Sequence, residues 1–343
     1  MTQYIIRRLL QAIPLLLIIT FVLFILTSNM GDPLATLGGR QRIRAADRER
    51  LMRQFGLDQP VPVQYVYWLI GNDWTQIDKD GDGVGDEPGK RKGVLRGDFG
   101  PSLVTRRPAL DIILERLPNT LLLMLPAELL IIIFSLVVGV YSALRQYSFI
   151  DNLLTSFSFI GYSMPVFWLA LMLMYIFAVN FKAWGLPYLP TVGMFEPEVG
   201  KTVQQVLWHM VLPLATLTII SVAGYSRYVR ASMLEVIHQD YIRTARAKGL
   251  PRRMIIYGHA LKNASLPLVT IVGLDLPLLL AGAIVTESIF AWPGMGRLFI
   301  DHTERADIAV IMGIMVMISV AVVFFQIVTD LVYAYLDPRI RLA

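Results

Sequence analysis

The chain has 343 residues, of which 55% are hydrophobic and only 17% charged, with a mean hydropathy of +0.56. Soluble domains carry nearer a quarter charged residues, so an ordinary soluble globular protein is excluded. The formal net charge is +5, and most Arg and Lys fall outside the apolar runs, which reads as membrane topology rather than a nucleic-acid footprint. The absence of cysteine excludes disulfides, thiolate metal sites and a cysteine nucleophile.

A helix needs about 20 predominantly apolar residues to cross hydrocarbon. In chain order six runs qualify: residues 9–27, 117–144, 153–179, 206–226, 264–290 and 308–335. The first follows Arg7 and Arg8 but is longer than a signal-peptide core, and "SNMGDP" after it offers no small-x-small cleavage site, so it is expected to be a retained span. The expected fold is therefore all-α, a polytopic membrane protein with about six transmembrane helices. Its organisation is an N-terminus and first span (1–27), a long loop (28–116), a five-helix core (117–336) and a tail (337–343).

Sidedness follows from the short loops. Arg7 and Arg8, Arg145, the cluster Arg243, Arg246, Lys248, Arg252, Arg253 and Lys262, and the tail residues Arg339 and Arg341 are all basic. The positive-inside rule places them in the cytoplasm, with both termini inside and the long first loop outside. Within that loop "RLMRQFGLDQPVPVQYVYWL" has helical spacing followed by Pro-punctuated, aromatic-rich packing positions, as expected of a small folded cap.

The loop also holds "DKDGDGVGDEPG", residues 78–89. Asp78, Asp80 and Asp82 alternate, Gly83 permits a sharp turn, Val84 offers its carbonyl, and Asp86 stands at the ninth position. These oxygens match the first nine positions of an EF-hand-type calcium loop, although Gly89 occupies position 12 where the bidentate Glu would stand. A structural Ca²⁺ ordering the cap is the sharper expectation; a flexible acidic turn is the plainer one. The neighbouring "GVGDEPGKR" is no P-loop, because Val84 replaces the first Gly and Arg91 the Ser or Thr. No catalytic site or catalytic cofactor is expected on this chain.

Within or near the apolar runs stand Glu128, Arg227, Asp275, Glu287 and Asp330. Intramembrane ionisable groups are costly and face a bundle interior or a water-filled path. Glu128 and Asp275 are candidates for a translocation pathway, with interhelical pairing the structural alternative. The four histidines show no metal-ligand spacing, and no Ser-His-Asp arrangement can be placed from sequence.

The short segment 239–253, "QDYIRTARAKGLPRR", lies between the fourth and fifth runs. Asp240 to Leu250 are good helix formers, and Gly249 with Pro251 is a stop signal. Tyr241, Ala245 and Gly249 recur at i, i+4, i+8, while Arg243 and Arg246 fall on another face. From composition, such an amphipathic helix suits a partner's groove or an anionic lipid surface.

"YIRTARAKGL" resembles the EAA motif as it stands in the membrane subunits of the dipeptide/oligopeptide/nickel family of ATP-binding-cassette importers. Arg243, Thr244 and Ala245 occupy the triplet and Gly249 the glycine; the Glu and first Ala of the general motif are missing. The resemblance continues in "YIIRRLLQAIPLLL", "FGLDQPVPVQYVYWL", "GDFGPSL", "RLPNTLLL", "GYSMPVFWLALML", "TESIFAWPGMGRL" and "DLVYAYLDPRIR", and the N-terminus and long first loop are similar to the B-type permease of the pair. The resemblance implies a coupling helix that fits a cleft on an ATPase subunit, with Tyr241, Arg243, Ala245, Arg246, Lys248 and Gly249 as its contact residues. It also implies a homologous C-type permease, two cytosolic ATPases carrying the ATP, an external solute-binding protein, and alternating access as the mechanism. Peptide is the expected solute; nickel chelates or oligosaccharides suit the same architecture. An ion-coupled secondary transporter would use Glu128 and Asp275 but leaves the basic segment unexplained, and a membrane scaffold or sensor would rest on the acidic loop alone.

Overall fold

The computed structural model describes residues 2–29, 52–53, 56–78 and 84–336. Its helices are α1 (Thr2–Ser28), α2 (Val61–Ile70), α3 (Ala109–Leu144), α4 (Phe149–Ser163), α5 (Val166–Ala183) and α6 (Val203–Ile237). They continue with α7 (Asp240–Ala247), α8 (Leu266–Ala281), α9 (Ile284–Ile289), α10 (Met295–Thr303) and α11 (Ile308–Leu336). Among the described residues the only sheet is a two-residue antiparallel hairpin, β1 (Gln76–Ile77) with β2 (Glu87–Pro88). Among the described residues six helical stretches are long and apolar enough to cross a membrane, so the all-α polytopic class is the one observed.

Two boundaries differ from expectation for local reasons. The third run is not one helix: Met164 is extended at φ −79°, ψ 132° and Pro165 follows at φ −60°, ψ 137°. A proline disfavours helical backbone at the residue before it, so α4 ends there and only α5 has spanning character. The fifth run breaks at Gly282, φ +78°, which caps α8 before α9 begins. By contrast α3 starts eight residues earlier than the apolar run and takes in Asp111, Glu115 and Arg116. At 1.5 Å per residue its 36 residues extend about 54 Å, well beyond a hydrocarbon layer of about 30 Å.

Contacts divide the chain into two compact units. The first comprises residues 1–8, 119–297 and 321–343. Its largest core joins Ile131 and Val140 of α3, Tyr225, Val229 and Met233 of α6, and Leu268 of α8. Arg8 and Asp330 pair at 3.3 Å, and Arg227 stacks over Phe159 and Tyr162, 5.3 and 4.4 Å from their ring centres. Asp151, buried near the start of α4, meets Arg230 of α6 at 3.1 Å and accepts the Tyr147 N–H at 2.9 Å. Burial raises the Asp151 pKa, but the Arg230 and Tyr147 hydrogen bonds more than offset it and hold the group below its ordinary value.

The second unit comprises residues 9–118 and 298–320. Here Phe24, Tyr65, Trp68 and Met312 form the core, with the Tyr65 and Trp68 rings stacked at 5.8 Å and Thr20 Oγ1 2.9 Å from the Tyr65 hydroxyl. The aromatic stretch after Pro60, expected as packing positions beyond a helix, is itself helix α2. Its prolines sit at the N-cap and in the first turn, where no intrahelical N–H is lost. Arg96 holds Asp73 through two 2.7 Å hydrogen bonds and also donates to the Ile70 carbonyl, tying a 3₁₀ turn at Val94–Arg96 to the end of α2.

Candidate functional site

Segment 239–253 forms the expected short helix, α7. Its first turn carries Asp240 and its last Arg246, each sign at the end where the helix dipole favours it. The C-terminus closes as a Schellman motif: Gly249 N–H donates to the Arg246 carbonyl at 3.0 Å and Leu250 N–H to the Ala245 carbonyl at 3.3 Å. That closure requires left-handed backbone, and Gly249 supplies it at φ +74°.

The helix presents its faces differently from the i, i+4, i+8 stripe read in the sequence. Ile242 is fully buried and Ala245 nearly so, both within the core of their own chain. Ala245 is therefore an anchor of the helix and does not belong to its outward surface. The outward face includes Tyr241, Arg243, Arg246, Lys248 and Gly249, all exposed. Among the described residues, a Cβ built on Gly249 would meet nothing within 4 Å. Asn263 donates to the Tyr241 hydroxyl at 2.8 Å, fixing the one aromatic side chain of that face. Beside α7 runs a cleft of about 510 Å³ lined by Ile242, Arg246, Leu250, Arg252 and Ile255. The chain leaves it through a π-helical turn, Met254–Ala260; such turns often accompany functional sites.

Among the intramembrane ionisable groups, Glu287 is completely buried. Its Oε1 accepts from Thr120 Oγ1 at 3.0 Å, and its Oε2 accepts from the N–H groups of Gly296 at 2.8 Å and Arg297 at 3.1 Å in the first turn of α10. The carboxylate thus satisfies a helix N-terminus from inside the bundle. The segment "WPGMGR" includes the start of α10, and a Cβ at Gly294 would lie 2.5 Å from the Glu287 carboxyl carbon. Glu128 of α3 and Asp275 of α8, singled out separately in the sequence, are brought together. They interact electrostatically, and the Tyr225 hydroxyl donates to Asp275 Oδ2.

Of the proposed calcium ligands, Asp80 and Asp82 lie outside the described residues. Asp78, Val84 and Asp86 flank the β1–β2 hairpin, whose register pairs Gln76 with Pro88 and Ile77 with Glu87. Among the described residues no group of three or more His, Asp or Glu is placed to hold a metal ion.

One cluster was not legible in the sequence. Ser102 Oγ donates to Asp307 Oδ2, and His302 Nδ1 lies 2.9 Å from the same oxygen; all three residues are buried. Burial raises the Asp307 pKa, but hydrogen bonds from His302 and Ser102 outweigh it and hold the group below its ordinary value. The carboxylate stands between hydroxyl and imidazole, so the imidazole does not reach the hydroxyl and the set lacks the order of a nucleophilic triad. It fastens the residues before α3 to the turn before α11. Only the 205-residue separation of Ser102 and Asp307 hid it.

Among the described residues, six apolar helices of spanning character, with a short cationic helix seated on two buried residues between the fourth and fifth, define a polytopic membrane protein with an exposed basic helix between two of its spans. Residues 135–342 match the family described as binding-protein-dependent transport system inner membrane component, and residues 1–124 match the family of its N-terminal part. The chain belongs to that family and is a multi-pass inner-membrane transport permease component that works with other components of such a system. It is 41% identical to the oligopeptide transport system permease protein AppB of Bacillus subtilis (strain 168), over 99% of this chain and 100% of the relative. It is 35% identical to the dipeptide transport system permease protein DppB of Escherichia coli (strain K12), over 99% of each chain. The di/tripeptide transport system permease protein DppB of Pseudomonas aeruginosa (strain UCBPP-PA14) is 34% identical, again over 99% of each.

Proposed function

We propose that this chain is the B-type permease of an ATP-driven peptide importer and forms half of the translocation pathway beside a homologous C-type permease. Both termini and α7 face the cytoplasm, where two separate ATPase subunits bind and hydrolyse ATP; an external solute-binding protein delivers the peptide. The observation that carries the reading is the seating of α7: Ile242 and Ala245 lock it to the bundle, so force applied to Tyr241, Arg243, Arg246, Lys248 and Gly249 reaches α6 and α8 as a rigid push. Peptide as solute rests on the three relatives, each named for peptide transport. Closure of the ATPases moves α7 and the spans rock between inward and outward access.

The test is ATP hydrolysis by the assembled transporter with and without peptide-loaded binding protein. Gly249→Asp is expected to abolish the stimulation while leaving assembly intact; undiminished stimulation would return α7 to the lipid surface.

A structural Ca²⁺ at loop 78–89 is a secondary proposal, supported by the hairpin that brings Asp78 and Asp86 to the mouth of one loop. Calorimetric titration of the chain with CaCl₂ tests it, with Asp80→Asn/Asp82→Asn as the variant expected to lose the binding heat.

A further inference from the structure

Glu128, Tyr225 and Asp275 lie on three different spans, each within about two turns of the middle of its helix. Glu128 is only 6% exposed, and its buried Oε1 has no hydrogen-bond partner among the described residues. Asp275 is half-buried, and one of its oxygens is engaged by the Tyr225 hydroxyl. Among the described residues no Lys, Arg or His is paired with either carboxylate. A buried, hydrogen-bond-hungry oxygen and a partly exposed second carboxylate thus interact in surroundings where uncompensated negative charge is expensive. Two carboxylates that interact electrostatically on packed spans call for a positive charge or a proton.

We infer that Glu128 and Asp275, with Tyr225 orienting Asp275, form an intramembrane acceptor for the cationic side chain of a basic peptide in transit. This rests on the peptide-importer reading and names its solute class. A peptide without ionised side chains is a zwitterion whose terminal charges cancel, whereas a Lys- or Arg-containing peptide carries an extra unit of positive charge into the membrane. A monovalent ammonium or guanidinium group matches the site better than a divalent metal, because two carboxylates and one phenol provide too few oxygens for the six to eight ligands Ca²⁺ takes. Its N–H donors suit the unpartnered Glu128 oxygen and the oxygen of Asp275 that Tyr225 leaves open.

The experiment uses the complete transporter in proteoliposomes and compares ATP-driven uptake of Ala-Lys-Ala, Ala-Ala-Ala and Ala-Glu-Ala by wild type and Glu128→Gln/Asp275→Asn. The binding protein is the same throughout, so its own selectivity cancels in each variant-to-wild-type ratio. Uptake of Ala-Lys-Ala is expected to fall tenfold or more and that of Ala-Ala-Ala to stay within twofold, with binding-protein-stimulated ATP hydrolysis retained. Glu128→Asp, which keeps the charge, should recover most of the Lys-peptide uptake, and Asp275→Lys should favour Ala-Glu-Ala. Equal loss of all three peptides, or no change in any, overturns the acceptor while leaving the importer reading intact. Failure of wild type to import any of the three overturns both.

Discussion

Leu250 N–H reaches back to the carbonyl of Ala245 at 3.3 Å, and it does so only because Gly249 between them is left-handed at φ +74°. The same glycine therefore closes α7 and occupies its exposed face. The two roles separate by substitution. Gly249→Val forces a β-branched residue into left-handed backbone and should cost about 1–2 kcal/mol locally, whereas Asn visits that region readily and should cost less. Since no described residue approaches a Cβ there, loss of stimulated ATP hydrolysis by Gly249→Asn, with an unchanged thermal midpoint, would report a docking contact.

Asp151 and Arg230 are unequal partners: the carboxylate side chain is 2% exposed and the guanidinium side chain 28%. Removing Arg230 strands a buried charge, so Arg230→Met should destabilise by about 3 kcal/mol, and Asp151→Asn by less, because the remaining cation can turn toward solvent. Thermal unfolding of the two variants in detergent should rank them in that order.

Glu287 and Gly294 make a close pair. A methyl at position 294 would sit 2.5 Å from the Glu287 carboxyl carbon and equally close to Thr120 Oγ1, so Gly294→Ala should cost about 1–3 kcal/mol by overpacking. Glu287→Ala removes the acceptor of Thr120 and of two N–H groups of α10, at about 1–3 kcal/mol for each buried donor left unmade. Both should lower the thermal midpoint, with Glu287→Ala the more severe.

The Asp307 cluster makes stability depend on pH with a definite sign. Its folded pKa lies below the ordinary value of 3.8, so the unfolded chain takes up the proton first as pH falls. The stabilisation is complete above that ordinary value and is lost as pH drops through the folded one. Hydrogen exchange at residues 102–107 should be steady, after correction for intrinsic rates, from neutral pH to about 4.5, and protection should fall below about 3.8. Asp307→Asn should remove that acid limb and cost about 1–3 kcal/mol at neutral pH.

The spans and the basic helix were legible because their signals are local. An apolar run of spanning length, a proline after Met164, and a glycine two residues before Pro251 act through backbone geometry within a few residues. The resemblance carried by "YIRTARAKGL" and its companion motifs is likewise a property of the linear chain, and it points to the family to which the chain belongs. Periodicity named Tyr241, Ala245 and Gly249 as one stripe, but which stripe faces inward depends on the neighbours, and Ile242 and Ala245 proved to be the buried pair. Tyr225 and Asp275 are 50 residues apart, Thr120 and Glu287 167, and Ser102 and Asp307 205. No local propensity links such residues. A buried carboxylate must find donors or a counter-charge wherever the packed helices bring them, and that partner was decided only when the spans assembled.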